Sequence, residues 1–177
     1  MKTLSCYLRL GSILLSICCL TLSLQAGEYH PNKNKIKKIA TQVSGIVNIY
    51  SPIVSIDNNV CTPSVNVENS TGFFTGDKVL IIQMQGASID QTNTAQYGIL
   101  SAYNNAGNYE FSRVTSVNGT TIFLQDTLVR SYTIAGKVQL VKVPEYQDVD
   151  VSGTLTGSPW NGSTGGVVAL AATGTMT

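Results

Sequence analysis

The chain of 177 residues carries eleven Lys and Arg, ten Asp and Glu and one His, for a net charge of +1. Charged residues make up 12% and hydrophobic residues 43%, ordinary for a globular protein and too apolar for a disordered one. The near-neutral charge is an average. Lys33, Lys35, Lys37 and Lys38 cluster, and from Ile39 onward five bases face nine acids. That balance argues against a nucleic-acid binder, which needs basic charge on its folded face.

Residues 1–26 read as a secretory signal peptide. Lys2 and Arg9 mark a positive start, Ile13 to Leu24 is an apolar stretch, and Ala26 offers a small residue before Gly27. The apolar run falls short of the roughly 20 residues that span a bilayer, so no membrane span is expected. The protein is expected to leave the cytoplasm through the export machinery and to be secreted or held at the cell surface. Cys6, Cys18 and Cys19 depart with the leader, which leaves Cys61 without an intrachain partner. A lone cysteine of this kind is expected to be a buried or half-buried apolar residue.

Residues 27–42 read as a basic, flexible lead-in that holds the one histidine, His30. From Val43 the texture is β. Ile46 to Tyr50 and Ile53 to Ile56 are β-branched runs separated by Pro52, which is expected at an edge or a break. Asp57-Asn58-Asn59 is a turn signal. Val65 and Val67 alternate with polar residues, and Val79 to Ile82 is a continuous apolar run that suits a strand covered on both faces.

Residues 86–98 form a polar loop, with a short strand expected over Ile99 to Tyr103. Residues 109–117 alternate in two sets, and Asn118-Gly119 then signals a tight hairpin into Thr120 to Gln125, with a type I′ turn expected. Asp126 to Tyr132 and Lys137 to Val143 continue the strand pattern up to Pro144. No stretch after Thr41 has a capped helix start or helical periodicity. Residues 147–177 change rhythm, with short apolar pairs set in Gly- and Thr-rich sequence, as at the entry to a parallel β-helix or roll. The expected fold is all-β: a compact β-barrel or sandwich over 43–146, then the first strands of a solenoid-like region over 147–177.

Chemistry-bearing residues are sparse. No phosphate-binding glycine motif occurs, and one histidine with one mature cysteine cannot build a zinc site, so no cofactor or metal is expected. A Ser-His-Asp arrangement would have to draw on His30 in the lead-in. Glu145, Asp148 and Asp150 are the remaining acid/base material. Asp148 and Asp150 would share a face if strand-like, and paired carboxylates about 5 to 9.5 Å apart serve glycoside hydrolysis. Solvated surface acids are the plainer expectation, and no catalytic residue is assigned.

Asp57-Asn58-Asn59 and Asp148-Asp150 lack the spaced acidic loop that calcium needs. The sequons at Asn69, Asn118 and Asn161 are explained by chance and turn chemistry. Among the aromatic residues, Trp160, Tyr97 and Tyr103 are the candidates for glycan contact, against the plainer role of filling half-buried β positions.

Phe73 to Ala87 (FFTGDKVLIIQMQGA), Tyr103 to Phe111 (YNNAGNYEF), Val138 to Tyr146 (VQLVKVPEY) and Pro159 to Leu170 (PWNGSTGGVVAL) carry a family texture. It resembles a module near the N-terminus of large secreted bacterial proteins of the type IX secretion substrate or gliding-associated adhesin kind. The resemblance covers about residues 51–177. It implies a surface-exposed β-rich module, no enzymatic motif, and a chain that runs on into a longer body, so that these residues are a front piece. The function expected is structural or adhesive, with surface glycans or other cell-surface proteins as partners. The alternative is the cap or carbohydrate-binding front module of a polysaccharide-active β-helix enzyme.

Overall fold

The computed structural model describes residues 40–177; the expected leader, and the lead-in up to Ile39 with His30 and the lysine cluster, lie outside the described residues. Among the described residues the twelve strands are β1 (Thr41–Gly45), β2 (Ile49–Asp57), β3 (Ser64–Val67), β4 (Lys78–Gln83), β5 (Ser88–Ile89), β6 (Leu100–Ala102), β7 (Tyr109–Asn118), β8 (Thr121–Leu124), β9 (Val138–Val143), β10 (Glu145–Tyr146), β11 (Val149–Leu155) and β12 (Ala171–Ala172). A single 3-10 turn, Ile134–Gly136, is the one helical element among the described residues. The fold is all-β.

Six strands close into a barrel in the order β2-β3-β8-β7-β4-β9, with every neighbouring pair antiparallel. Closure satisfies the backbone groups that an open sheet would leave on its edges. The apolar run in β4 explains itself here. Val79 and Ile81 point into the barrel beside Val65, Ile122 and Leu140, whereas Leu80 and Ile82 point outward against Val141, Val143, Val167 and Ala169. A strand covered on both faces needs apolar residues at every position, as the sequence suggested.

Pro52 is not a break. β2 runs through it, pairing with β9 over Ile49 to Pro52 and with β3 from Ile53 onward. The strand changes partners where one residue has no N–H to donate. The Pro52 carbonyl is still used, accepting from the Glu68 amide at 3.0 Å.

The β7–β8 hairpin also differs from expectation. Asn118 pairs with Thr121, so the central turn residues are Gly119 and Thr120, and of these only Gly119 has positive φ, at 57°. A glycine in the first central position is the requirement of a type II′ turn, not of type I′. Asp126 to Tyr132, expected as a strand, is a loop. Side chains satisfy its backbone instead. Glu110 accepts from the Val129 and Arg130 amides at 2.9 and 3.0 Å, and the Asn58 carboxamide exchanges two 2.7 Å hydrogen bonds with Leu128. Leu128 is thereby pressed into the barrel core.

Each end of the barrel is plugged by a polar side chain. Gln83 is fully buried; its amide donates to the carbonyls of Gln85 (2.7 Å) and Asn104 (2.9 Å), and its oxygen accepts from the Thr133 amide (2.8 Å). Gly136 packs so closely that a Cβ there would overlap the Gln83 amide. At the other end Lys142 pairs with Asp77 at 2.8 Å, donates to the Gly72 carbonyl at 2.9 Å and lies 5.0 Å from the Phe74 ring centre.

A second, parallel system stands beside the barrel. β1 pairs parallel with β11, Thr41 opposite Val149, and Val149 in turn bridges Met176 in parallel. Backbone bonds of 2.8 to 3.0 Å between Val149, Val151, Thr175 and Thr177 continue the ladder. β10 pairs parallel with β12, Glu145 opposite Ala171. The chain therefore returns onto itself after 26 residues at Glu145–Ala171 and 27 at Val149–Met176, forming one turn of a parallel coil.

This moves the boundaries read from sequence. By local pattern residues 41–42 read as lead-in and 43–45 as barrel, yet all five belong to the coil, as β1. The physical reason is that β1 finds its hydrogen-bond partner more than a hundred residues downstream, which no local pattern records.

Candidate functional site

Residues 157–170 cross the outer face of the barrel as a strap, and three side chains fasten its backbone. Gln139, fully buried, donates to the Gly165 carbonyl at 3.0 Å and accepts from the Gly165 amide at 2.9 Å. Asn48 does the same at Ala169, accepting from its amide at 3.0 Å and donating to its carbonyl. The Tyr50 hydroxyl donates to the Val167 carbonyl and accepts from the Ser158 amide at 3.3 Å. Gly165 has φ of +108° and lies so close to the Pro159 and Ser158 carbonyls that a Cβ would overlap them. Val167, Ala169 and Ala171 then roof Leu80, Val141 and Val143.

The strap carries Trp160, which is 37% exposed at its turn. The adjoining Asn161 oxygen accepts from the Ser163 and Thr164 amides at 2.9 and 2.8 Å, so that sequon is a turn device. Tyr97 and Tyr103 are both well exposed, on the excursion that contains the small β5–β6 hairpin. The loop before Tyr97 is laced by Asp90, Thr92, Thr94 and Gln96, and hydrogen bonds from Thr92 hold the Asp90 carboxyl below its ordinary value. Tyr103 precedes Asn104 and Asn105, both at positive φ. Asn104 fixes that turn by donating to the Gly86 carbonyl at 3.0 Å and the Ser88 hydroxyl at 2.9 Å. No ring contact joins Trp160, Tyr97 and Tyr103 among the described residues.

The ring pair that does form is Tyr109–Phe111, edge to face with centroids 6.3 Å apart. Sequence alternation over 109–117 left open which set faces water. Ser112 and Val114 are the buried set, while Tyr109 and Phe111 stand outside, each about half exposed. Phe111 was not singled out from sequence. The available signal was an aromatic, aromatic, arginine series at every second position, and it becomes readable only once the buried face is known. Lys78 on β4 reaches to 5.4 Å from the Phe111 ring centre and lies opposite Arg113 in the register.

Arg113 and Glu145 form a two-pronged ion pair at 2.8 and 3.0 Å, and Arg113 also donates to the Gly76 carbonyl at 2.6 Å. The guanidinium holds the Glu145 carboxyl below its usual value, and the carboxylate raises Arg113 in return. The acids considered for catalysis are thus engaged in structure. Asp148 accepts from the Thr175 amide at 2.8 Å, while Asp150 accepts from the Gln42 amide group at 3.4 Å, so each secures a different neighbour of β11. Cys61 is exposed, contrary to the expectation of burial. It sits in the turn after β2, where its amide donates to the Asn59 side chain and no core position is offered. Asp57 and Asn59 serve as acceptors for that turn. Among the described residues no group of three His, Cys, Asp or Glu converges on a metal position, and no helix is long and apolar enough to cross a membrane.

No family model and no curated protein matches the chain. Two solved structures are similar to it. One is the Gp54 tailspike of Acinetobacter baumannii bacteriophage AP22 in complex with A. baumannii capsular saccharide, at 13% identity and a TM-score of 0.38, covering 67% of this chain and 23% of that one. The other is the tailspike protein gp49 from Pseudomonas phage LKA1, at 16% identity and a TM-score of 0.36, covering 63% of this chain and 18% of that one. The chain thus spans about a quarter or less of the length of either structure.

Proposed function

We propose that this chain is a non-enzymatic, structural and adhesive module of an exported cell-surface protein, of the kind its sequence resembles. The barrel is a rigid head seated on a parallel β-coil, and exposed aromatic residues on the head make contact with surface glycans. The observation that carries this reading is the strap. Asn48, Tyr50 and Gln139 bind its backbone to the barrel, and the same strap leads directly into β12 and the returning strand of the coil. Barrel and coil therefore share one apolar seam, as suits a part that must transmit force or hold spacing. Engagement of Glu145 in an ion pair, of Asp148 with a backbone amide and of Asp150 with the Gln42 side chain supports a role in contact, not in turnover.

Two measurements test the reading. The full chain, expressed in a bacterial host, is expected to appear outside the cytoplasm with a new N-terminus at Gly27; an uncleaved cytoplasmic product overturns export. The exported protein is then applied to an array of capsular and cell-wall glycans. Retention without release of reducing ends is the expected result. Loss of all glycan retention overturns the adhesive role, and release of reducing ends overturns its non-enzymatic character.

A further inference from the structure

We propose that the outer face of β4 and β7 holds a shallow site for one uncharged hexose ring, centred on Phe111; this rests on the glycan-contact reading above. The site does not include Trp160, Tyr97 or Tyr103.

The strap covers the outward residues of β4 and β9 but leaves the next strand bare. Phe111 is 51% exposed although the adjoining Leu80, opposite it in the register, is roofed and buried. Tyr109 meets Phe111 edge to face at an interplanar angle of 82°, an arrangement that favours this orientation of the ring. Lys78 Nζ stands over the ring at 5.4 Å from its centre, so half-exposed aromatic surface and a hydrogen-bond donor lie side by side.

Beside it lies a cleft of about 200 Å³ lined by Lys78, Phe111, Ser112, Arg113, Gln125 and Asp126. Sites for drug-sized ligands run to about 300–1,000 Å³, so this cleft suits a single ring.

Its electrostatics narrow the ligand class. The register sets Lys78 directly opposite Arg113, an unfavourable pairing of like charges. Glu145 neutralises Arg113, and Lys78 turns toward the Phe111 ring, with no ion pair of its own among the described residues. Asp126 supplies a second carboxylate on the cleft wall. Two cations against two anions leave no net charge to select an ionised ligand. The remaining features are an aromatic ring, an ammonium and an amide that donate, and a carboxylate and an amide oxygen that accept. A pyranose matches this set, because it carries an apolar C–H face and a girdle of hydroxyls that both donate and accept.

The test is saturation-transfer NMR on the full chain with glucose, galactose and mannose, and with galacturonate as the charged comparison. Transfer to ring C–H protons is expected from at least one neutral hexose, with Kd of about a millimolar, the scale for so small a ligand. Phe111→Ala is expected to weaken binding about tenfold with an unchanged melting curve, and Phe111→Trp to retain it. Trp160→Ala is expected to leave binding intact. Binding that survives Phe111→Ala, or is lost in Trp160→Ala, overturns this site while the wider glycan reading stands. Preference for galacturonate overturns the uncharged ligand class. Absence of any transfer from the tested sugars, together with retention on the array, overturns the site alone; absence of both overturns the site and the reading together.

Discussion

Gln139→Ala is the most direct test of how the strap is held. The wild-type side chain is completely buried and exchanges two hydrogen bonds, 3.0 and 2.9 Å, with the carbonyl and amide of Gly165, itself buried. Truncation removes both bonds and orphans two backbone groups that water cannot easily reach. At about 1–3 kcal/mol for each buried group left unpaired, the expected loss is about 2–6 kcal/mol. That is a large fraction of the roughly 5–15 kcal/mol that stabilises a typical domain. Urea unfolding of the full chain measures the loss, and amide hydrogen exchange locates it. The Gly165 amide is expected to be protected in the wild type and to exchange at loop rates in the variant. Gln139→Leu, which keeps volume but not hydrogen bonding, is expected to lose nearly as much. A change within about 0.5 kcal/mol, the range of ordinary surface substitutions, would refute the claim that this carboxamide holds the strap. So would a Gly165 amide that already exchanges freely in the wild type.

Other perturbations probe the barrel and its ion pairs. Gly136→Ala is expected to destabilise by about 1–3 kcal/mol in thermal unfolding, because a methyl would displace the Gln83 amide that plugs the barrel end. Ser112→Ala is expected to be neutral or stabilising by about 1 kcal/mol in urea, since the buried Ser112 hydroxyl has no hydrogen-bond partner among the described residues. The Glu145 carboxyl is held below its usual value by Arg113, so its contribution is present above the ordinary carboxylate range and fades as pH falls through the lowered value. Both partners are exposed enough for solvent to screen the pair, so the effect is small, and Glu145→Gln is expected to remove that share of the acid sensitivity in a pH series of melting curves. Greater acid sensitivity in the variant than in the wild type would contradict the assignment.

Local chemistry in the sequence determined the character of the protein. The β-branched runs, the turn residues and the lack of helical periodicity imposed an all-β fold, and Val79 to Ile82 announced a strand buried on both faces because no polar residue interrupts it. The Gly- and Thr-rich rhythm after Gln147 likewise announced parallel coil. What only the tertiary structure decided are the partnerships between distant residues. Alternation in β7 could not say whether Phe111 or Ser112 faced water, because that depends on which side the barrel closes. Residues 41–42 read as lead-in and 43–45 as barrel because the partner of β1, β11, lies at the far end of the chain. The loop at 126–132 looked like a strand because apolar alternation is blind to Glu110 and Asn58, whose side chains satisfy its backbone from elsewhere. Periodicity reports what each residue prefers to bury; hydrogen bonding and closure decide against what, and those are properties of the whole chain.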